Sequence, residues 1–395
     1  MATRKRLVVV GGGTGGLSVL RALHRKRKDL DITLVEPRTW HAYQPLWTLV
    51  GAGIFPMAKS ERSLKSFLPS DVRWIKERVM SFDPEHNRLE LESKTILQYD
   101  LLIVAPGIQL DWHLIEGLPE TLGKNGVCSN YSEKHVSYTW QVAKTLKSGR
   151  AIFTQPATPI KCAGAPQKAM YLSEETFRMN GVRKKVEVHF MSAGPRLFGV
   201  QKYREALEKV VKSRGIQTHF QRNLIKVDGE KHVATFKDLQ SGELHQESFT
   251  MLHVVPPMSA PDFIKRSPLA NADGWVDVHK HTLVHNRYAN IFALGDASSL
   301  PTSRTGAAIR KQGPVLVDHL IARLEGRTST ASYNGYASCP LVTSRGKAIL
   351  AEFDYDGNPD ETFPFDQGKE RWSMYMLKKH FIPYMYWNAM MRGYF

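Results

Sequence analysis

The chain has 395 residues, 42% of them hydrophobic and 10% aromatic, enough to bury a sizeable core over two or three domains. Its 54 Lys and Arg against 38 Asp and Glu give a formal charge of +16, which points to an anionic partner: nucleic acid, an anionic membrane surface, or small anions drawn to a site. The three cysteines, Cys128, Cys162 and Cys339, are too few and too widely spaced for a disulfide framework or a metal site, so no metal is expected.

The opening MATRKRLVVVGGG runs straight into a strand, so no targeting segment is expected in the sequence. Leu7–Val10 is a continuous apolar run, as in a central parallel strand buried on both faces. A glycine turn, Gly11 to Gly16, then leads into a helix over Leu17–Arg27. A second strand, Asp31–Val35, ends in Glu36, about twenty residues on. This is a dinucleotide fingerprint in context. Gly11 makes the turn, Gly13 lets backbone approach a pyrophosphate, Gly16 lets the helix pack, and Glu36 takes the ribose hydroxyls. Tyr99–Gly107 is another buried strand, ending in the small turn Ala105 to Gly107. Ile291–Gly313 reads as a strand, Gly295-Asp296, and a helix containing Gln312.

Between these segments a second α/β unit is predicted over 113–265. It comprises a helix (Glu133–Leu146), a strand (Ala151–Thr154), a helix from Pro166, a strand (Val186–Met191), a helix (Tyr203–Ser213) and a meander (Leu224–Val227, His232–Phe236, Glu247–Val255). Its first strand-to-helix turn lacks the glycine motif and instead carries Cys162, with Lys161 before it and Lys168 a turn inside the helix. A thiol beside a helix N-terminus and two ammonium groups is favoured as thiolate; a buried structural cysteine is the competing reading. Cys128 reads as structural packing. After about residue 325 the composition shifts, and beyond Asp366 comes KERWSMYMLKKHFIPYMYWNAMMRGYF. Its apolar residues Trp372, Tyr375, Met376, Trp387, Met390, Met391 and Tyr394 fall at helical spacing, with Pro383 separating two halves. Basic flanks and aromatic density predict a peripheral, one-leaflet membrane anchor over 370–395, with Lys378, Lys379 and Arg392 meeting headgroups. No run approaches the ~18 apolar residues of a membrane span, and nucleic-acid motifs are absent, so nucleic acid is not expected as a partner.

The glycine turn, the Ala105–Gly107 turn and Gly295-Asp296, in that order, resemble the two-dinucleotide-domain FAD oxidoreductases. The resemblance implies an α/β fold of two Rossmann-like domains, the FAD domain discontinuous (1–112 and 266–325), the second (113–265) without a nicotinamide loop. A C-terminal region (326–395) would carry Cys339 and the amphipathic anchor. It implies FAD held by Gly11, Gly13, Gly16, Glu36, Ala105, Gly107, Gly295 and Asp296. Gln44, Pro45 and Gln312 would approach the isoalloxazine, with Val79 completing the cofactor set. The segments HAYQPLWTLVGAG, TPIKCAGAPQKAMYLSE, MLHVVPPMSAPD, YASCPLVT and AEFDYDGNPDETFPFDQ further resemble the sulfide:quinone oxidoreductase family, in its mitochondrial-like branch. That resemblance implies a redox pair of Cys162 and Cys339 oxidising hydrogen sulfide to the sulfane level. Lys168 and Lys378 would be basic groups near the sulfurs, and Glu120 a proton acceptor. Electrons would pass by way of FAD to ubiquinone, past Phe381 and Tyr384, and sulfane sulfur to glutathione, sulfite or coenzyme A. Cys162, lysine-flanked, is expected to be the better leaving thiolate, with hydrosulfide attacking Cys339. Cys128 also matches a three-cysteine branch in which a thioether to the flavin occurs. The expected location is peripheral, on the mitochondrial inner membrane in a eukaryote and on the plasma membrane in a bacterium, with oligomeric state left open. The competing functions are an NADH:quinone reductase and a basic flavoprotein that binds nucleic acid or a protein.

Overall fold

The computed structural model describes residues 4–395. The all-apolar run in Lys5–Val10 forms the middle strand of a five-stranded parallel sheet, in the order Ile291–Ala293, Leu101–Val104, Lys5–Val10, Leu30–Val35, Arg73–Ile75. Burial on both faces explains why the run does not alternate: Leu7, Val8, Val9 and Val10 are all in the core. The helices Thr14–Lys26 and Gly306–Glu325 pack on each other beside this sheet.

A second five-stranded sheet, also parallel, runs Val127–Cys128, Met251–His253, Gly149–Gln155, Val186–Ser192, Gln217–His219. Its helices include Val136–Thr145, Ala165–Met179 and Gln201–Ser213. The predicted meander is corrected in one place. Glu247–Val255 is not one strand: Leu244–Ser248 closes a three-stranded antiparallel sheet, whereas Met251–His253 returns to the parallel one. Phe249, buried between them, is the corner.

The hairpin Ala337–Ser344 with Lys347–Phe353 lays its first strand on the helix Ala165–Met179. The last helical run is continuous: Trp372–Met376, a π turn over Leu377–Phe381, Ile382–Asn388, and a final turn at Met390–Arg392. Pro383 therefore does not separate two halves. The wider π turn before it absorbs the backbone disturbance of a residue that has no N–H to donate.

This run has two faces, and the split differs from the predicted stripe. Tyr375, Tyr386, Trp387, Met390 and Met391 are core, while Trp372 (66% exposed), Phe381 (55%), Tyr384 (64%) and Met385 (42%) face outward. No helix of the described residues is long and apolar enough to cross a membrane.

Candidate active site

The glycine turn behaves as its spacing requires. Gly11 sits at φ +100°, where a Cβ would overlap the Ala105 carbonyl. A Cβ on Gly16 would overlap the Gly11 carbonyl oxygen, so the helix packs on the turn only with glycine there. At Gly13 and Gly107 a Cβ would meet nothing within 4 Å, so both border open space. The Glu36 carboxylate accepts from Gly12 N (2.7 Å) and Arg38 N (2.8 Å), which fixes it at the mouth of the turn. Opposite, Gly295 N donates to Gln312 Oε1 (2.9 Å), so Gln312 holds this turn from behind while its amide nitrogen reaches Tyr333. Val79 is buried at the start of the strand Val79–Asp83. Asp296 has its carboxyl raised by burial, opposed by Lys161 and Arg304.

At the matching turn of the second sheet, Cys162 adopts φ +52°, a left-handed conformation unusual for a residue with a side chain. It is held there by Cys162 N donating to Arg304 O (2.9 Å) and Ala165 N donating to Cys162 O (2.8 Å). Cys339 comes from the hairpin, 177 residues later, and its Sγ lies 3.7 Å from Cys162 Sγ. Lys168 Nζ donates to both sulfurs, at 3.2 Å to Cys162 and 3.6 Å to Cys339. The hydrogen bond from Cys339, and then the Lys168 charge, hold the Cys162 thiol well below its usual range in spite of burial. The same hydrogen bond, with burial, pushes Cys339 well above it. Lys168, nearer Cys162 than Cys339, thus favours negative charge on Cys162.

Lys378 is a correction to the predicted headgroup face. It is 2% exposed, its Nζ donates to Pro45 O (3.0 Å), and burial followed by repulsion from Lys168 lowers it to about 7. Its charge also acts on the two cysteines, after that of Lys168. Lys161 Nζ donates to Gln44 Oε1, and burial lowers it to about 8. It therefore braces Gln44, and its charge still feels the Cys162 sulfur beside it.

The pyridine nucleotide-disulphide oxidoreductase family pattern matches residues 5–314. The chain is 46% identical to the mouse protein named mitochondrial sulfide:quinone oxidoreductase, over 98% of this chain and 86% of that one. It is equally 46% identical to the Dictyostelium discoideum protein of the same name, with the same coverage. The solved sulfide:quinone oxidoreductase of Aquifex aeolicus superposes with a TM-score of 0.85 at 21% identity, over 99% of this chain and 92% of that one. The chain belongs to the sulfide:quinone oxidoreductase family. It is an FAD oxidoreductase with the two-dinucleotide-domain fold. The glycine cradle fits that cofactor, since Gly13 and Gly107 leave clear the space a pyrophosphate would need.

Glu120 stands apart from this oxidoreductase's sulfur site. It is exposed on the short helix Leu118–Thr121, which packs on the strand Arg222–Asp228, and makes no hydrogen bond to either sulfur. Cys128 is fully buried in the second sheet's core, where burial pushes its thiol up to about 12. That is the environment of a packing residue. Phe381 and Tyr384 lie on the exposed face of the C-terminal run. Sequence reasoning missed three participants. Gly164 lies against Cys339, where a Cβ would stand 2.6 Å from Sγ. His41 and Tyr386 join hydroxyl to imidazole beside the glycine turn. Only Gly164 left a local signal, in the CAG triplet.

Proposed function

We propose that this enzyme oxidises hydrogen sulfide to sulfane sulfur at Cys162 and Cys339 and passes the electron pair to ubiquinone. The observation that carries this reading is the sulfur pair itself, polarised by one lysine that reaches both atoms. In the oxidised enzyme the two sulfurs are bridged. Hydrosulfide attacks Cys339 Sγ, the S–S bond breaks, Cys339 becomes a persulfide, and Cys162 leaves as thiolate. The direction follows from leaving-group stability: the sulfur whose thiolate is already stabilised departs. A small nucleophile, such as glutathione, sulfite or coenzyme A, takes the terminal sulfur and leaves Cys339 as a thiol. FAD, held by the glycine cradle, would supply the two-electron acceptance that lets the bridge re-form and the onward route of the electron pair to quinone. Lys168 holds the thiolate throughout. Lys378, titrating at about 7, is better placed than exposed Glu120 to shuttle the protons.

The outward face of Phe381, Tyr384 and Met385, with Trp372, supports peripheral attachment to one leaflet and quinone access from it. The relatives' names support a mitochondrial location. Mixing oxidised protein anaerobically with sulfide or with NADH tests the reading. Sulfide should bleach the flavin absorbance and NADH should not; the reverse outcome would make the chain an NADH:quinone reductase.

A further inference from the structure

A glycine-rich turn has no side chains with which to hold itself, so its conformation must be imposed from outside. Here the imposing group comes from the far end of the chain. Tyr386 is 4% exposed, and its hydroxyl lies 2.7 Å from Thr14 Oγ1 and 2.5 Å from His41 Nε2. His41 Nδ1 lies 3.2 Å from the Gly12 carbonyl oxygen. A carbonyl only accepts, so Nδ1 carries the proton and Nε2 accepts from the tyrosine O–H. The Tyr386 oxygen then accepts from Thr14 O–H. Burial lowers His41 to about 4, so this neutral tautomer persists at physiological pH. The chain of bonds ends on both sides of Gly13.

The residues after Tyr386 grip the same region. Gly393, at φ +78°, sits against the backbone of Arg21 and Ala22, where any Cβ would overlap. The Arg25 guanidinium lies 3.4 Å from the centre of the Tyr394 ring. The Phe395 ring covers Gly313 on the helix Gly306–Glu325. Both helices that border the cradle are thus held by the last residues of the chain.

We propose that residues 386–395 are a latch on the FAD cradle, with Tyr386 a positioning residue that holds Gly12 to Thr14 in the shape that takes the pyrophosphate. The proposal rests on the FAD assignment and not on the sulfide reading. A preorganised loop binds more tightly because it orders less on binding. The test is the flavin dissociation rate of the purified holoenzyme, read as the rise in fluorescence of released flavin after dilution, with melting temperature measured alongside. Tyr386→Phe keeps the ring packing and removes the hydroxyl, and should release flavin roughly two- to tenfold faster, the scale of one buried hydrogen bond. His380→Ala, exposed on the same helical run, should release it at the parent rate. A Tyr386→Phe protein that melts lower yet keeps flavin as long as the parent would overturn the proposal. So would equal acceleration by His380→Ala, which would mean that any loosening of the run suffices.

Discussion

The two parallel sheets present the same device, a strand feeding a turn feeding a helix, and fill it differently. At the first sheet, Gly11 takes the left-handed turn and Gly13 leaves the space before the helix clear. At the second, Cys162 takes a left-handed conformation in a longer loop, and Lys168 and Cys339 close on it. Both turns stabilise an anion just ahead of a helix. One does so for a pyrophosphate with bare backbone, the other for a thiolate with an ammonium group. A fold position therefore transmits an electrostatic preference, and the loop decides what chemistry that preference serves.

The comparison is broken most severely at the second turn. Cys162→Ser or Cys339→Ser should lower sulfide-dependent quinone reduction by at least about a thousandfold, the scale of losing a nucleophile, while the flavin spectrum stays intact; turnover and absorbance are read on the same sample. At the first turn, Gly13→Leu should give apoprotein, because the side chain fills the open space beside it, and a yellow purified variant would refute the cradle. Gly164→Ala sharpens the contrast. Its Cβ would meet Cys339 Sγ at 2.6 Å, so the sulfurs must separate, and turnover should fall by up to about a hundredfold with flavin retained. The smallest effect is on pH. Lys378 is protonated below about 7, and its positive charge there attracts hydrosulfide. As pH rises through that value the charge is lost, so the KM expressed per hydrosulfide ion should climb in the parent and stay flat in Lys378→Met.

Local patterns were legible in the sequence, and long-range ones were not. The three glycines, Glu36 and Gly295 lie in contiguous motifs whose spacing is set by the turn itself, and the structure draws Gly11, Gly16 and Glu36 around one turn. Cys162 and Cys339 could be paired only through family resemblance, since nothing local joins residues 177 apart. Lys378 and Lys379 are adjacent, and hydropathy cannot tell that the π turn buries one of them and not the other. The aromatic stripe misled for the same reason. Tyr375, Trp387, Met390 and Met391 satisfy helical spacing equally well against a protein core and against lipid. Tyr386 and His41, 345 residues apart, meet only because the C-terminal run folds back on the first helix.

That return of the chain end has a consequence for the order of assembly. As the chain emerges from the ribosome, the strands of both parallel sheets are complete by Ala293, before the cysteine hairpin or Tyr386 has been made. The paired strands of both sheets are thus all made before the latch residues and before Cys339. Domains form as units in the order they are synthesised, and the contacts made last here are those that complete the chemistry. The core of each sheet also waits for these late residues: Leu316, Trp387 and Met391 belong to the first, Leu341 and Ile349 to the second. The fold thus leaves both the packing and the chemistry of its sites to the last residues made.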